Sequence, residues 1–324
     1  MGHMEAGRWV TDEVGATEPD GRFIRRPTTF RDRIEPGGRF PPQAGRYHLT
    51  VSLACPWAHR TLIVRRLKRL EGMIGLSVVH WLMGEEGWSF VPGEGVISDP
   101  VLGARFLYQL YAEADPEYGG RVTVPVLWDC ETGTIVNNES AEIIRIFNSA
   151  FDAVGAAPGD FYPEALRAEI DAVNDRVYDT LNNGVYKAGF ARSQAAYEAA
   201  VVPLFATLDW LEARLSAQPF LCGDVITEAD WRLFTTLIRF DAVYHGHFKC
   251  NLRRIVDYPA LWDYTRSLLQ VPGVAETVSF GHIKQHYYQS HTSINPTQVV
   301  PLGPALDFSV PGSRTPARPL PAMA

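Results

Sequence analysis

The sequence predicts two domains, an α/β domain followed by an all-helical domain. Its 324 residues amount to two domains at the usual length of about 150 residues each. In the first half, short runs of strand composition alternate with helical periodicity, whereas from about Pro163 the periodicity is helical with little strand signal. We therefore expect an α/β domain at 47–150, a linker at 151–162 and a helical domain at 163–290.

The composition excludes several classes of protein. Hydrophobic residues make up 46% and charged residues 21% of the chain, which is typical of globular domains. The net charge of −7 argues against nucleic acid as a partner, and no run approaches the ~20 apolar residues of a membrane span. Four cysteines are too few for a disulfide scaffold, so we expect a reducing, cytoplasmic location and no membrane partner.

Both ends of the chain are expected to be extended. Residues 1–46 are polar and rich in Gly, Pro and Arg, which indicates an N-terminal arm. Six of the last 24 residues are prolines, so we expect an extended or disordered tail at 291–324. The arm carries four candidate aromatic anchors, Trp9, Phe23, Phe30 and Phe40.

Cys55 lies where a predicted strand meets a predicted helix. Residues 47–53 have strand composition, and the apolar positions of 61–70 recur at helical spacing. Pro56 suits the first helical turn, where its missing N–H costs nothing. Because a helix N-terminus carries unpaired N–H groups and the positive end of the dipole, this position favours a thiolate. Cys55 is therefore the candidate nucleophile.

The residues after Cys55 indicate which thiol chemistry to expect. The motif reads Cys-Pro-Trp-Ala, so no second thiol lies three residues on to resolve an intramolecular disulfide. We therefore expect monothiol chemistry, in which Cys55 forms a mixed disulfide with a small thiol and a second small thiol releases it.

The rest of the first domain is expected to complete a small sheet. Residues 77–81 and 134–138 read as strands, as does the apolar run that starts at Pro125 and ends at Asp129, and 83–120 read as a Gly-rich insertion. Pro125 is unusual at the head of an apolar strand, because proline is normally excluded from central strands. A cis peptide at the strand start would explain it and would expose the backbone of the preceding residue.

Glu139 and Ser140 open the helix that follows. The N–H groups at that helix start, with the Ser140 hydroxyl, are suited to a carboxylate, and Glu139 is suited to an ammonium. The nucleophile at the first helix, the proline before the third strand and the acid–serine pair at the last helix form a βα…ββα pattern. Each signal is weak alone, but their order makes the pattern specific.

The second domain shows helical patterns and no clear catalytic motif. Residues 227–230 read Thr-Glu-Ala-Asp, which resembles a capping box and carries folding information. His245, His247 and Cys250 lack a second well-spaced cluster, so no metal site is expected. The candidate helices are 165–180, 194–215, 228–243, 258–269 and 271–278.

Several motifs resemble the xi class of glutathione transferases, the glutathionyl-hydroquinone reductases. The likeness runs from about Arg46 to Pro301 and implies a thioredoxin-like α/β domain followed by an all-α domain, the glutathione transferase architecture. The segments past residue 180 separate this class from omega-type transferases, which share only the Cys-Pro start. The matching segments are 55–60, 123–129, 135–140, 182–191, 247–251 and 283–291.

The resemblance also implies an activity. Cys55 attacks the thioether sulfur of a glutathionyl-hydroquinone, the hydroquinone leaves, and a second glutathione regenerates the thiolate. Tyr186 and Tyr287 match tyrosines whose hydroxyls hydrogen-bond the departing hydroquinone. Glutathione as co-substrate and a homodimer are implied as well. The positions that match the glutathione site are Trp88, Arg121, Val124, Glu139 and Ser140.

Three other interpretations stay open. An omega-like thiol transferase or dehydroascorbate reductase would use the same Cys55, although Tyr186 and Tyr287 argue against it. The same chemistry with another low-molecular-weight thiol would need a different pocket around Trp88 and Arg121. A non-catalytic interaction module is a possibility from another class, but binding alone needs no thiolate at Cys55.

Overall fold

The computed structural model describes residues 2–11 and 17–317. Among these residues, no helix combines the length and the apolar character needed to cross a membrane. The strands are β1 (His3–Glu5), β2 (Arg8–Val10), β3 (Tyr47–Val51), β4 (Ile74–Val78), β5 (Val126–Asp129) and β6 (Thr134–Asn137). The α-helices are α1 (Pro56–Leu67), α2 (Tyr108–Ala114), α3 (Ser140–Ser149), α4 (Arg167–Val177), α5 (Gly184–Gly189), α6 (Gln194–Ala217), α7 (Glu228–Arg239), α8 (Pro259–Leu269) and α9 (Phe280–Ser290).

The described residues form two compact units. The first contains 2–11, Arg26–Pro158 and Gly281–Ser290, and the second contains 17–25, Gly159–Phe280 and 291–317. Nearly all of α9 therefore clusters with the first unit, whereas the sequence analysis placed it in the helical domain. The domain bounds stated above stay a prediction.

A four-stranded mixed sheet forms the centre of the first unit. Its order is β4-β3-β5-β6, with β3 parallel to β4 and the other two pairs antiparallel. Because β3 has a partner on each side, all five of its residues are buried. Helix α1 makes the crossover from β3 to β4 that a parallel pair requires, and it contacts α3. This arrangement confirms the α/β fold class.

The limits of the second predicted strand were wrong. Strand β4 lies at Ile74–Val78 and not at 77–81, since His80 and Trp81 stack on each other beyond the end of the sheet. Strand β5 begins at Val126, directly after Pro125, which the sequence placed at the head of this strand and which has no N–H to give to a ladder. The Val124–Pro125 peptide is cis, as predicted.

Most of the second unit is helical, which confirms the predicted all-α region. Four of the five candidate helices are present as α4, α6, α7 and α8. The helix predicted at 271–278 was wrong: the segment contains one 3₁₀ turn at Ala275–Thr277, because Pro272 and Gly273 (φ +86°) interrupt it. The predicted capping box is present at the start of α7, where Thr227 N donates to Asp230 Oδ2 at 2.7 Å. Helix α5 was not predicted.

The arm and the tail are held by side-chain contacts. In the arm, the Trp9 ring stacks on Tyr108 at 5.1 Å between centroids, and its indole Nε1 donates to the carbonyl of Glu85. Residues 301–317 of the tail contain neither helix nor strand. Arg314 fixes this tail to α8, because its Nε donates to Asp263 Oδ2 at 3.0 Å.

A buried ion pair joins the starting end of β3 to the end of β5. Arg46 Nε and the Asp129 carboxylate lie 2.6 Å apart, and a second hydrogen bond of 2.7 Å makes the pair bidentate. The side chain of Asp129 is fully buried. Although burial alone would raise the pKa of Asp129, the hydrogen bonds from Arg46 and Thr132 outweigh it and lower that pKa.

Arg46→Met is expected to lower the free energy of unfolding by about 3 kcal/mol, because breaking a buried pair leaves an uncompensated charge. The pKa of Asp129 is lowered in the folded state. The stabilisation that the ion pair provides is therefore complete above the ordinary pKa of about 3.9, and it is lost as the pH falls through the pKa of Asp129 in the folded protein. Urea unfolding at pH 7 measures the change. In the control, Arg39→Met removes the exposed Arg39–Asp32 pair and should cost far less; equal losses would contradict the account.

Candidate active site

Cys55 caps the N-terminus of α1. Its backbone is extended (φ −77°, ψ 121°), and Pro56 occupies the first helical position, as the sequence predicted. The carbonyl of Cys55 already accepts the N–H of His59 at 3.0 Å, so the residue is fixed by the first turn of the helix. The thiol is partly exposed, and its Sγ donates to the carbonyl of Val124 at 3.7 Å. A partly exposed thiol at a helix N-terminus is suited to nucleophilic chemistry.

The other three cysteines have environments that oppose the thiolate. Burial raises the pKa of Cys222 to about 12 and raises the pKa of the fully buried Cys250 further. At Cys130, burial of the sulfur and the nearby Asp129 raise the pKa as well. Since the thiolate is the nucleophile, these three are poor candidates at neutral pH.

Arg60 connects α1 with the start of α3. Its side chain is almost completely buried, and the guanidinium carbon lies 4.8 Å from the centre of the Trp57 ring. One guanidinium nitrogen lies 3.5 Å from Ser140 Oγ, at the outer limit of a hydrogen bond. A positive charge therefore lies beside Ser140, one of the predicted glutathione-site residues.

Glu139 is the N-cap residue of α3. Its Oε1 accepts the N–H of Ala141 at 3.2 Å, and its Oε2 accepts the hydroxyl of Thr28 at 3.2 Å. The carboxylate thus lies at the positive end of the helix dipole and is half-buried. Because a carboxylate has about four acceptor sites, two hydrogen bonds leave capacity for an ammonium group.

Val124 offers its backbone next to Cys55. Its carbonyl accepts the Cys55 thiol, and its N–H has no hydrogen-bond partner within residues 2–11 and 17–317. The neighbouring segment is fixed by Tyr111, whose hydroxyl donates to the carbonyl of Thr123 at 2.8 Å. Arg121 lies three residues earlier, half-buried, with its carbonyl held by the Tyr118 hydroxyl at 2.9 Å.

Trp88 and Tyr287 lie beside the same residue of α9. The Trp88 ring is buried and stacks on His286, with 4.8 Å between centroids and 25° between planes. Tyr287 follows directly in the helix and is buried as well. Gly87 permits the turn before Trp88, because its φ is +70° and a Cβ there would lie 2.9 Å from the Trp9 ring.

Tyr186 belongs to the second unit, whereas the other predicted site residues lie in the first. It lies in α5 and is half-buried. The guanidinium carbon of Arg25 lies 4.9 Å from the centre of its ring, and the ring contacts Phe248 edge to face at 5.5 Å. These contacts fix the orientation of the phenol ring within its unit.

His286 and Arg60 were missed as parts of the site. The sequence analysis gave neither residue a role in the site. The i, i+4 spacing of His282 and His286 was a signal for a shared helix face. Their partners in the structure, Trp81 and Trp88, lie far away in the sequence, so spacing alone did not reveal them.

Comparison with known proteins identifies the family. The model of the glutathione S-transferase N-terminal domain matches residues 54–150, and that of the C-terminal domain matches residues 194–267. The chain is 56% identical over 305 residues to the glutathionyl-hydroquinone reductase PcpF of Sphingobium chlorophenolicum, covering 94% of this chain and 97% of that protein. It is 48% identical to a Xi class transferase from Natrialba magadii whose solved structure has a TM-score of 0.91, covering 97% and 96% of the two chains. The chain belongs to the Xi class of glutathione transferases.

A further solved structure that resembles this chain contains glutathione. It is the glutathione-bound structure of YqjG, a glutathione transferase homolog from Escherichia coli K-12. This Xi-class chain is 51% identical to it with a TM-score of 0.88, and the alignment covers 97% of this chain and 99% of that one. The resemblance drawn from the sequence motifs is therefore confirmed.

At pH 7, iodoacetamide is expected to alkylate Cys55 at least about 10-fold faster than Cys222, because the thiolate is the reactive form. Mass spectrometry of peptides from a time course measures the two rates. Cys55→Ser should remove the fast phase, whereas the control Cys130→Ser should keep it. A fast phase that persists in Cys55→Ser would contradict this interpretation.

Proposed function

We propose that the chain reduces glutathionyl-hydroquinones to hydroquinones, with glutathione as the reductant. The observation that carries the proposal is Cys55, a partly exposed thiol at the N-terminus of α1, in a chain 56% identical to a glutathionyl-hydroquinone reductase. The motif Cys-Pro-Trp-Ala holds no second thiol, so the disulfide formed by Cys55 has to be resolved by a thiol from outside the motif.

In the first step, the Cys55 thiolate attacks the thioether sulfur of the substrate. A sulfur–sulfur bond forms as the bond between sulfur and the ring carbon breaks. The electron pair of the broken bond stays on the ring carbon, which takes up a proton, and the hydroquinone leaves. The ring carbon is reduced and the Cys55 sulfur is oxidised to the level of a disulfide.

In the second step, the thiolate of a second glutathione attacks the glutathione sulfur of the mixed disulfide. Glutathione disulfide leaves, and Cys55 returns to the thiolate. The helix N-terminus at Cys55 supports both steps, because it stabilises the thiolate as nucleophile and as leaving group.

Residues around Cys55 are proposed to hold glutathione. Val124 offers a carbonyl and a backbone N–H that has no partner among the described residues, and both suit a peptide bond of glutathione. Ser140, at the start of α3 and beside Arg60, suits a carboxylate, and Glu139 suits the ammonium group. Arg121 supplies a second cation for a carboxylate, and the Trp88 ring is proposed as a wall of the same site.

Tyr287 is proposed to hydrogen-bond an oxygen of the departing hydroquinone. The phenol hydroxyl is a donor, and a donor placed at the oxygen stabilises charge that develops on the ring as the sulfur leaves. The same role for Tyr186 stays a prediction from the family resemblance. The contacts of Tyr186 with Arg25 and Phe248 support a fixed ring orientation.

The thiol, the oligomer and the location are parts of the same proposal. Glutathione is favoured as the thiol because the glutathione-bound YqjG structure is 51% identical to this chain. A homodimer and a cytoplasmic location follow from the resemblance and the cysteine composition.

Cys55→Ala is expected to abolish glutathionyl-hydroquinone reduction, with at least about a 10³-fold loss in kcat/KM, because no other group replaces a nucleophile. Steady-state release of hydroquinone measures it, beside the control Cys130→Ala, which should keep full activity. Dehydroascorbate and alternative small thiols serve as competing substrates in the same assay. Full activity in Cys55→Ala would refute the mechanism, and a higher kcat/KM for dehydroascorbate would favour the omega-like activity.

Tyr287→Phe is expected to lower kcat by about 10–100-fold with little change in glutathione affinity, because one hydrogen bond to the leaving group is lost. Stopped-flow release of hydroquinone measures the rate, and calorimetry measures the affinity. Tyr288→Phe is the matched control, because it removes the same hydroxyl group from the next residue of α9. Unchanged kinetics in Tyr287→Phe would remove Tyr287 from the site.

A further inference from the structure

Three side chains on one face of α9 hold the segment that carries Trp88. They are His282, His286 and Ser290, which are spaced four residues apart and therefore share a helix face. His282 Nε2 donates to the carbonyl of Glu94 at 2.6 Å, and His286 Nδ1 donates to the carbonyl of Trp81 at 2.8 Å. Ser290 Oγ accepts the N–H of Met83 at 3.0 Å. We call these three residues the α9 clamp.

The clamp and Trp88 meet at His286. The imidazole of His286 is buried and covers one face of the Trp88 indole at 4.8 Å between centroids. Its hydrogen bond to the carbonyl of Trp81 restrains the rotation of the imidazole and requires a proton on Nδ1, because a carbonyl accepts only from a protonated ring nitrogen. The backbone of Trp88 is held separately, since its carbonyl accepts the N–H of Leu107 at 2.9 Å. His286 therefore contacts the indole ring itself, whereas Leu107 holds only the backbone of Trp88.

We propose that His286 is a positioning residue that sets the affinity for glutathione through the orientation of the Trp88 ring. This inference rests on the proposed function, in which Trp88 forms a wall of the glutathione site. His286 itself is not assigned a contact with glutathione. Since Tyr287 follows it directly, one helical turn of α9 fixes a wall of the glutathione site and carries the proposed hydroquinone tyrosine.

The size of the effect follows from the contact that His286 makes. An aromatic pair contributes an energy that corresponds to a factor of about 2 to about 10 in an equilibrium constant. Loss of the imidazole should therefore weaken glutathione binding by about that factor. The rate at saturating glutathione should change much less, because Cys55 is held by the first turn of α1.

Two substitutions separate the ring from the hydrogen bond. His286→Asn keeps an amide donor that can reach the carbonyl of Trp81 but removes the ring beside Trp88. His286→Phe keeps a ring beside Trp88 but removes the donor. Gln285→Ala is the control, because it changes the same helix at a position outside the clamp face. His286→Leu replaces His286→Asn if that variant does not fold.

The experiment is calorimetric titration of glutathione into four proteins that all carry Cys55→Ser, so that no mixed disulfide forms. They are the Cys55→Ser parent and the same protein with His286→Asn, His286→Phe or Gln285→Ala. The melting temperature is recorded for each. We expect Kd to rise by about 2–10-fold in His286→Asn, less in His286→Phe and not at all in Gln285→Ala. With Cys55 restored, KM for glutathione should rise in His286→Asn while kcat stays within about 2-fold.

The possible results distinguish the inference from the function on which it rests. No binding of glutathione to the Cys55→Ser parent would count against the proposed function itself. Binding to the parent with an unchanged Kd in His286→Asn would overturn the positioning role alone. Equal losses in His286→Asn and His286→Phe would also overturn it, because the ring contact with Trp88 would then carry no affinity.

Discussion

The N-terminus of α1 is the constraint on which the rest of the site depends. Strand β3 is paired on both sides and wholly buried, so the chain leaves the sheet at a fixed point and turns into α1 at Cys55. Strand β5 is antiparallel to β3, and its register pairs Thr50 with Val126. That register brings the residues just before β5 alongside the end of β3, which is why the carbonyl of Val124 lies 3.7 Å from the Cys55 sulfur.

The N-terminus of α3, in the same unit, complements the N-terminus of α1. Helix α3 begins at Ser140, contacts α1 and receives the buried Arg60 from it. One helix start thus carries the sulfur of the proposed nucleophile Cys55, and the other carries a hydroxyl, a carboxylate and a neighbouring cation. This separation suits a tripeptide thiol whose sulfur reacts while its charged groups are held elsewhere.

Local signals could be predicted from the sequence, and long-range ones could not. Cys55 beside Pro56, the cis Val124–Pro125 peptide and the Thr227–Asp230 capping box depend on neighbours in the chain, so the sequence pattern was sufficient. The helix predicted at 271–278 is absent because Pro272 and Gly273 interrupt the segment.

The contacts of α9 could not be predicted from the sequence. The pairing of His286 with Trp88 depends on where a late helix lies in the fold, and residue spacing carries no information about that. The same holds for Arg60 and Ser140, which belong to different helices. The sequence therefore indicated which residue types do the chemistry but not which side chains support them.

A single-turnover experiment tests the central claim most directly. The protein is mixed with a glutathionyl-hydroquinone in the absence of free glutathione, and intact mass and peptide mapping are followed as hydroquinone is released. The account predicts one hydroquinone released per chain, with one glutathione bound to Cys55 as a disulfide that added glutathione then removes. Hydroquinone release without a glutathione adduct, or an adduct on Cys130, Cys222 or Cys250, would contradict it.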